Sequence, residues 1–138
     1  MVDQTRLDQM LSNLRSYVGV LERLARTPEA DFLADPDKVG NAKYHFIIAI
    51  ECCIDVANHI IASEDLRFPK DNADSFAVLV DSGILSEAQR DPLQSMARFR
   101  NRLVHLYQDV DDRRVHEYLR GSLIHLSGFA QTVALRFP

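Results

Sequence analysis

The feature that most constrains this chain is the stretch Phe46–Ile61, which as a helix is apolar on nearly every face. A helix of that kind has to be covered on all sides, so it belongs at the centre of a helical bundle. Asp35-Pro36 begins it as an N-cap with proline at the first helical position, and it runs to about Ser63. The longest uninterrupted apolar runs, such as Phe46–Ile50, are far too short to span a bilayer.

The helices that must cover it are written in the same periodicity. From Thr5 to Arg26 the residues Leu7, Leu11, Leu14, Val18 and Leu21 recur at three- and four-residue steps, giving one buried stripe that ends at Thr27-Pro28. A polar connector, Glu64–Asp74, leads to a short helix over Ser75–Asp81, with Gly83 as its stop. Ser86-Glu87-Ala88-Gln89 has capping-box spacing and starts a helix that Asp91-Pro92 kinks or restarts and that runs to His105. After a charged turn at Asp109–Asp112, a last helix buries Val115, Leu119, Leu126, Phe129 and Val133. No strand pattern or repeat interrupts this reading. The expected fold is all-α, an antiparallel bundle of four long helices and one short one, forming a single domain over residues 1–138.

At 46% hydrophobic and 26% charged residues the chain has enough apolar material for a core without disulfides. The start, Met1–Arg15, carries charges throughout and lacks the apolar core of a signal peptide, so a cytoplasmic location is expected. Cys52 and Cys53 are adjacent on a helix, where side chains diverge, and are expected to be reduced buried thiols. A net charge of −4 excludes wholesale coating of nucleic acid but leaves room for a local basic site.

That basic site lies in Arg98-Phe99-Arg100-Asn101-Arg102-Leu103-Val104-His105-Leu106-Tyr107. Arginine presents a planar fork matched to phosphate oxygens, and histidine titrates near neutrality. Together they supply an acid–base group and an electrostatic clamp, the minimum for cutting RNA without a metal. Taken alone, the cluster reads first as a solvated basic helix face closed by a capping histidine. Arg100 and His105 also lie five positions apart, about 140° around a helix. Arg100 reaches His105 only if the helix ends near Leu103 or a second subunit completes the site. Arg98, Arg102 and His105 share a face better.

Glu51, Asp55 and His59 recur at four-residue steps on the central helix, with Asn58 beside them. Buried charge needs a partner, and Arg98, Arg100 and Arg102 are the candidates. Three readings stay open: a buried salt-bridge network, a support for the basic site, and part of a metal site. The last lacks the Glu-x-x-His pairs that di-iron bundles use. Accordingly no metal and no cofactor are expected. His45, His116 and His125 are isolated and are read as packing or surface residues.

Arg100-Asn101-Arg102-Leu103-Val104-His105-Leu106-Tyr107 resembles the R-x4-H-x-Y signature of HepT-like toxins of the HEPN superfamily. The segments Ile50–Ile61 and Asp74–Ser86 resemble the same family in order, so the likeness covers most of the chain. The resemblance implies a homodimer whose cleft brings Arg100 and His105 of both chains together. It implies metal-independent endoribonuclease activity leaving 2′,3′-cyclic phosphate or related ends, with RNA (tRNA or mRNA) as substrate. It further implies the toxin role in a toxin–antitoxin pair, with a minimal nucleotidyltransferase antitoxin that transfers AMP to the motif tyrosine, here Tyr107. On this reading His105 is the general acid or base, Arg100 the phosphate clamp, and Asn101 an orienting group. Arg98 and Arg102 steer RNA or pair with Glu51 and Asp55. The alternative is a non-catalytic helical module that binds a nucleotidyltransferase without cutting RNA.

Overall fold

Asp35 opens the longest helix by accepting hydrogen bonds from the backbone N–H groups of Asp37 and Lys38, with Pro36 directly after it. In the computed structural model, which describes all 138 residues, that helix is α3, Pro36–Ser63. Before it come α1, Gln4–Ala25, and a five-residue helix α2, Glu29–Leu33. After it come α4, Asn72–Asp81; α5, Arg90–His105; α6, Asp112–Gly121; and α7, Leu123–Arg136. The protein is an all-α helical bundle with α3 at its centre. α1 and α5 pack directly on α3, α4 leans on both α3 and α5, and α7 closes against α1.

The core follows the periodic stripes. Leu7, Leu14 and Leu21 of α1 are fully buried, as are Phe46, Ile50 and Ile60 of α3. By length and hydropathy α3 as a whole is long and apolar enough to cross a membrane, although its separate apolar runs are short. Its apolar side chains are instead taken up by the surrounding helices, as a core helix requires. Three aromatic rings tie α3, α5 and α6 together. Phe99 stacks on Tyr118 at 3.9 Å between centroids, and Phe46 meets Phe99 edge-on at 5.4 Å. Cys52 and Cys53 are free and buried. Burial, and then the neighbouring Asp55, push the Cys52 thiol up to about 11, which keeps it protonated and unreactive.

Three elements differ from the expectation. The short α2 was unforeseen: it buries Phe32 against the His116 ring, 5.2 Å away, and five residues are too few to show a helical period. α4 begins three residues early because Asp71 caps it, accepting from the Asp74 N–H at 2.7 Å. The expected single last helix is two, since the chain breaks at Gly121-Ser122 and restarts at Leu123. Gly83 does terminate the α4 region, at φ +80°, where a side chain would strain the backbone. Ser86 and Gln89 form the anticipated capping box around a single 3₁₀ turn, Glu87–Gln89, and α5 follows at Arg90.

Candidate active site at the end of α5

α5 carries its hydrophobic residues Leu93, Met96, Ala97, Phe99 and Leu103 inward, so the intervening polar residues lie at its edges and outer face. Arg100 falls at the edge facing α3. Its Nε and Nη2 donate to one oxygen of Glu51, at 3.1 and 2.7 Å, and its Nη1 donates to the side-chain oxygen of Asn101 at 3.0 Å. The guanidinium side chain is only 20% exposed, while Glu51 keeps 40% of its own open to water. A guanidinium has five N–H donors, and these three bonds leave two for an incoming phosphate. Glu51 therefore fixes the plane of the fork without consuming it.

Asp55, one turn along α3, lies close enough to be influenced by the same group. Its carboxyl is held above its ordinary value, chiefly by burial and then by the Glu51 charge, with Arg6 and Arg100 opposing. The acidic stripe thus meets Arg100 and Arg6, not Arg98 or Arg102. Those two arginines form no ion pair: Arg98 is exposed, and Arg102 is exposed with its guanidinium 5.8 Å from the Phe99 ring. Their alternative role as partners of Glu51 and Asp55 is corrected by this geometry. His59, the third member of the stripe, turns elsewhere and accepts a hydrogen bond from the Asp3 N–H. Asn58 accepts from the Ser75 hydroxyl. Two further histidines bond to backbone: His116 is buried against the Thr27 carbonyl, and His45 lies 3.1 Å from the Asn41 carbonyl.

His105 is the last residue of α5 and is exposed, and its imidazole makes no side-chain hydrogen bond. α5 runs unbroken through Leu103, so the five-residue separation keeps its helical angle and no hydrogen bond joins Arg100 to His105 within one chain. Beyond it, Leu106 leaves helical geometry and Tyr107–Asp109 makes one 3₁₀ turn. Tyr107 is 42% exposed, and Val104 and Leu106 beside His105 are 41% and 51% exposed. A histidine therefore stands free at a helix end beside the exposed Val104 and Leu106, with an oriented arginine on the same helix.

One residue of this region is not marked by any motif. Lys43 of α3 is buried, donates to the Tyr107 carbonyl at 3.1 Å and sits 4.4 Å from the Tyr107 ring centroid. The available signal was a lone lysine at an inward position of α3, between Ala42 and Phe46.

The fold is shared with solved toxin structures. The Shewanella oneidensis HEPN toxin, solved tri-AMPylated in complex with an MNT antitoxin, superposes with a TM-score of 0.87 at 22% identity, covering 98% of this chain and 99% of that one. YutE from Bacillus subtilis, solved as a cytosolic protein, superposes at 0.86 with 19% identity, covering 98% and 90%. Architecturally, then, the chain shares the helical-bundle fold of that HEPN toxin. In sequence, the chain matches the family model described as ribonuclease HepT-like over residues 8–133, and it belongs to that family. Among relatives, it is 36% identical over 84 residues to the mRNA nuclease HepT of Shewanella oneidensis, a match spanning 60% of each protein. It is 26% identical over 132 residues to YutE, described as a candidate RNase, covering 96% of this chain and 88% of that one.

Proposed function

We propose that this chain is the ribonuclease toxin of a toxin–antitoxin pair and that it cleaves RNA without a metal at a site built from Arg100 and His105. The observation that carries the reading is the pre-oriented guanidinium of Arg100, clamped by Glu51 and Asn101 with two donors free, on the same helix as an unpartnered His105. RNA carries its own nucleophile, the 2′-hydroxyl. A base that removes its proton and a cation that stabilises the charge gathering on the phosphate suffice for transesterification to a 2′,3′-cyclic phosphate. His105 takes the proton or returns one to the 5′-oxygen, and Arg100 binds the pentavalent phosphate. Asn101 and Glu51 hold Arg100 in plane, Asp55 supports that pair, and exposed Arg98 and Arg102 attract the RNA backbone.

Because no bond links Arg100 and His105 within one chain, the reading needs a second copy. A homodimer formed around Val104 and Leu106 buries their exposed apolar surface and brings two Arg100–His105 sets to one cleft. The partner is a minimal nucleotidyltransferase antitoxin, in line with the MNT complex of the Shewanella toxin, and Tyr107 is the residue it modifies. A nucleotide on that hydroxyl adds bulk and negative charge at the end of α5, two residues from His105, and excludes RNA phosphate. The protein acts in the cytoplasm.

The test is cleavage of total RNA and tRNA in EDTA by the parent, Arg100→Ala and His105→Ala, each made without an antitoxin and with Tyr107 unmodified by intact mass. Cleavage by the parent alone is expected. The module reading predicts the opposite: a folded, unmodified parent that cuts neither substrate yet binds a nucleotidyltransferase.

A further inference from the structure

Lysine is almost never buried without partners, because desolvating an ammonium is costly. Lys43 is nonetheless 7% exposed along its side chain, deep on the α3 face that looks toward the end of α5. Its ammonium has three neighbours and all bear on one short stretch of chain. It donates to the Tyr107 carbonyl at 3.1 Å, lies 3.4 Å from Asp112 Oδ1, and faces the Tyr107 ring at 4.4 Å from its centroid. The Tyr107 ring lies along α3 with its hydroxyl beside Gly40, where an added Cβ would stand 3.9 Å away.

The stretch it touches has little else to hold it. None of the residues in the 3₁₀ turn Tyr107–Asp109 is buried, Leu106 is 51% exposed, and two local backbone bonds, Leu106 to Arg102 and Asp109 to Leu106, are its only regular support. This turn starts two residues after His105. Where it goes decides how α5 ends and in which direction the His105 imidazole can point.

We propose that Lys43 is a positioning residue of the site: its buried ammonium ties the turn after His105 to the central helix and to the start of α6. The inference rests on the ribonuclease reading of His105. A cation at this place satisfies the carbonyl and the aromatic face of Tyr107 and the carboxylate of Asp112, and no neutral side chain of similar length can do all three. Arginine keeps the charge and the donors, with a different shape.

The experiment compares the parent with Lys43→Met and Lys43→Arg. The readouts are kcat and KM for RNA cleavage and amide hydrogen exchange over residues 106–112. Methionine keeps the apolar stem and leaves no unpaired buried charge on the lysine side. The expected result for Lys43→Met is a kcat lowered roughly tenfold or more with KM within about twofold, since misplacing a reacting group acts on the chemical step. Exchange should quicken in 106–112 and stay unchanged in α1, and Lys43→Arg should recover most of both. A Lys43→Met protein with parental kcat, or with parental exchange in the turn, overturns the proposal. If that variant does not fold, Asp112→Asn carries the test: unchanged exchange in 106–111 then overturns it. If the parent cleaves no RNA, the ribonuclease reading fails on its own, and the exchange comparison still decides what Lys43 holds.

Discussion

Arg100 and His105 sit on one helix and meet opposite surroundings, one clamped and one free. The clamp was half legible: an acidic stripe on α3 and arginines on α5 had to find each other, but which arginine faced Glu51 depends on the relative rotation of two helices, which residue types do not encode. Glu51→Gln keeps the shape and loses the charge that holds the fork, so cleavage should fall with little change in melting temperature; a large loss of stability would assign Glu51 to the fold alone. Asp55 gives a pH prediction. Its folded carboxyl is raised above the ordinary 3.8, so the fold prefers the protonated form, and this contribution is full at low pH and lost as pH rises through the folded value. Asp55→Asn should therefore melt at or above the parent at pH 7, with the gap closing below about pH 4. A variant melting lower than the parent at pH 7 contradicts the assignment.

At the level of elements, the ends marked by side-chain chemistry were readable and the ends set by packing were not. Asp35, Ser86 and Gly83 announce themselves by residue type. The five-residue α2 and the break at Ser122 do not, because α2 is held by one buried phenylalanine and the apolar period continues across Gly121-Ser122. Gly83→Ala should lose about 1–2 kcal/mol, the cost of a side chain at positive φ, read as a lowered denaturation midpoint with unchanged slope. The α4 region also carries a salt-bridge network absent from the sequence reading: Arg67 bonds Asp74 and Asp81, and Arg90 bonds Asp81 and Glu87. The Arg67 hydrogen bond, and then the Lys70 N–H, hold the Asp74 carboxyl down at about 2. A lowered acid stabilises above its unfolded value and loses that contribution as pH falls through the folded one. The stability difference between parent and Asp74→Asn should thus be present at pH 7 and vanish between about pH 4 and pH 2; a pH-independent difference contradicts the ion-pair origin.

For the whole molecule, the central helix and its cover were legible because burial on every face leaves a helix one place to go. The assembly was not, since a dimer surface shows only as scattered exposed apolar residues among others, such as Phe68 and Leu135, far along the chain. The protein should sediment as a dimer, and Leu106→Glu should shift it to monomer and abolish cleavage together; a monomer that still cuts RNA would remove the need for a second copy. The decisive measurement for the ribonuclease chemistry is the fate of a short RNA whose scissile nucleotide is replaced by its 2′-deoxy form, in EDTA. Transesterification by His105 and Arg100 predicts that the all-ribose strand yields a 2′,3′-cyclic phosphate end and that the substituted strand stays intact at that position. Cleavage at the deoxy position, or cleavage that appears only when a divalent metal is added, would contradict it.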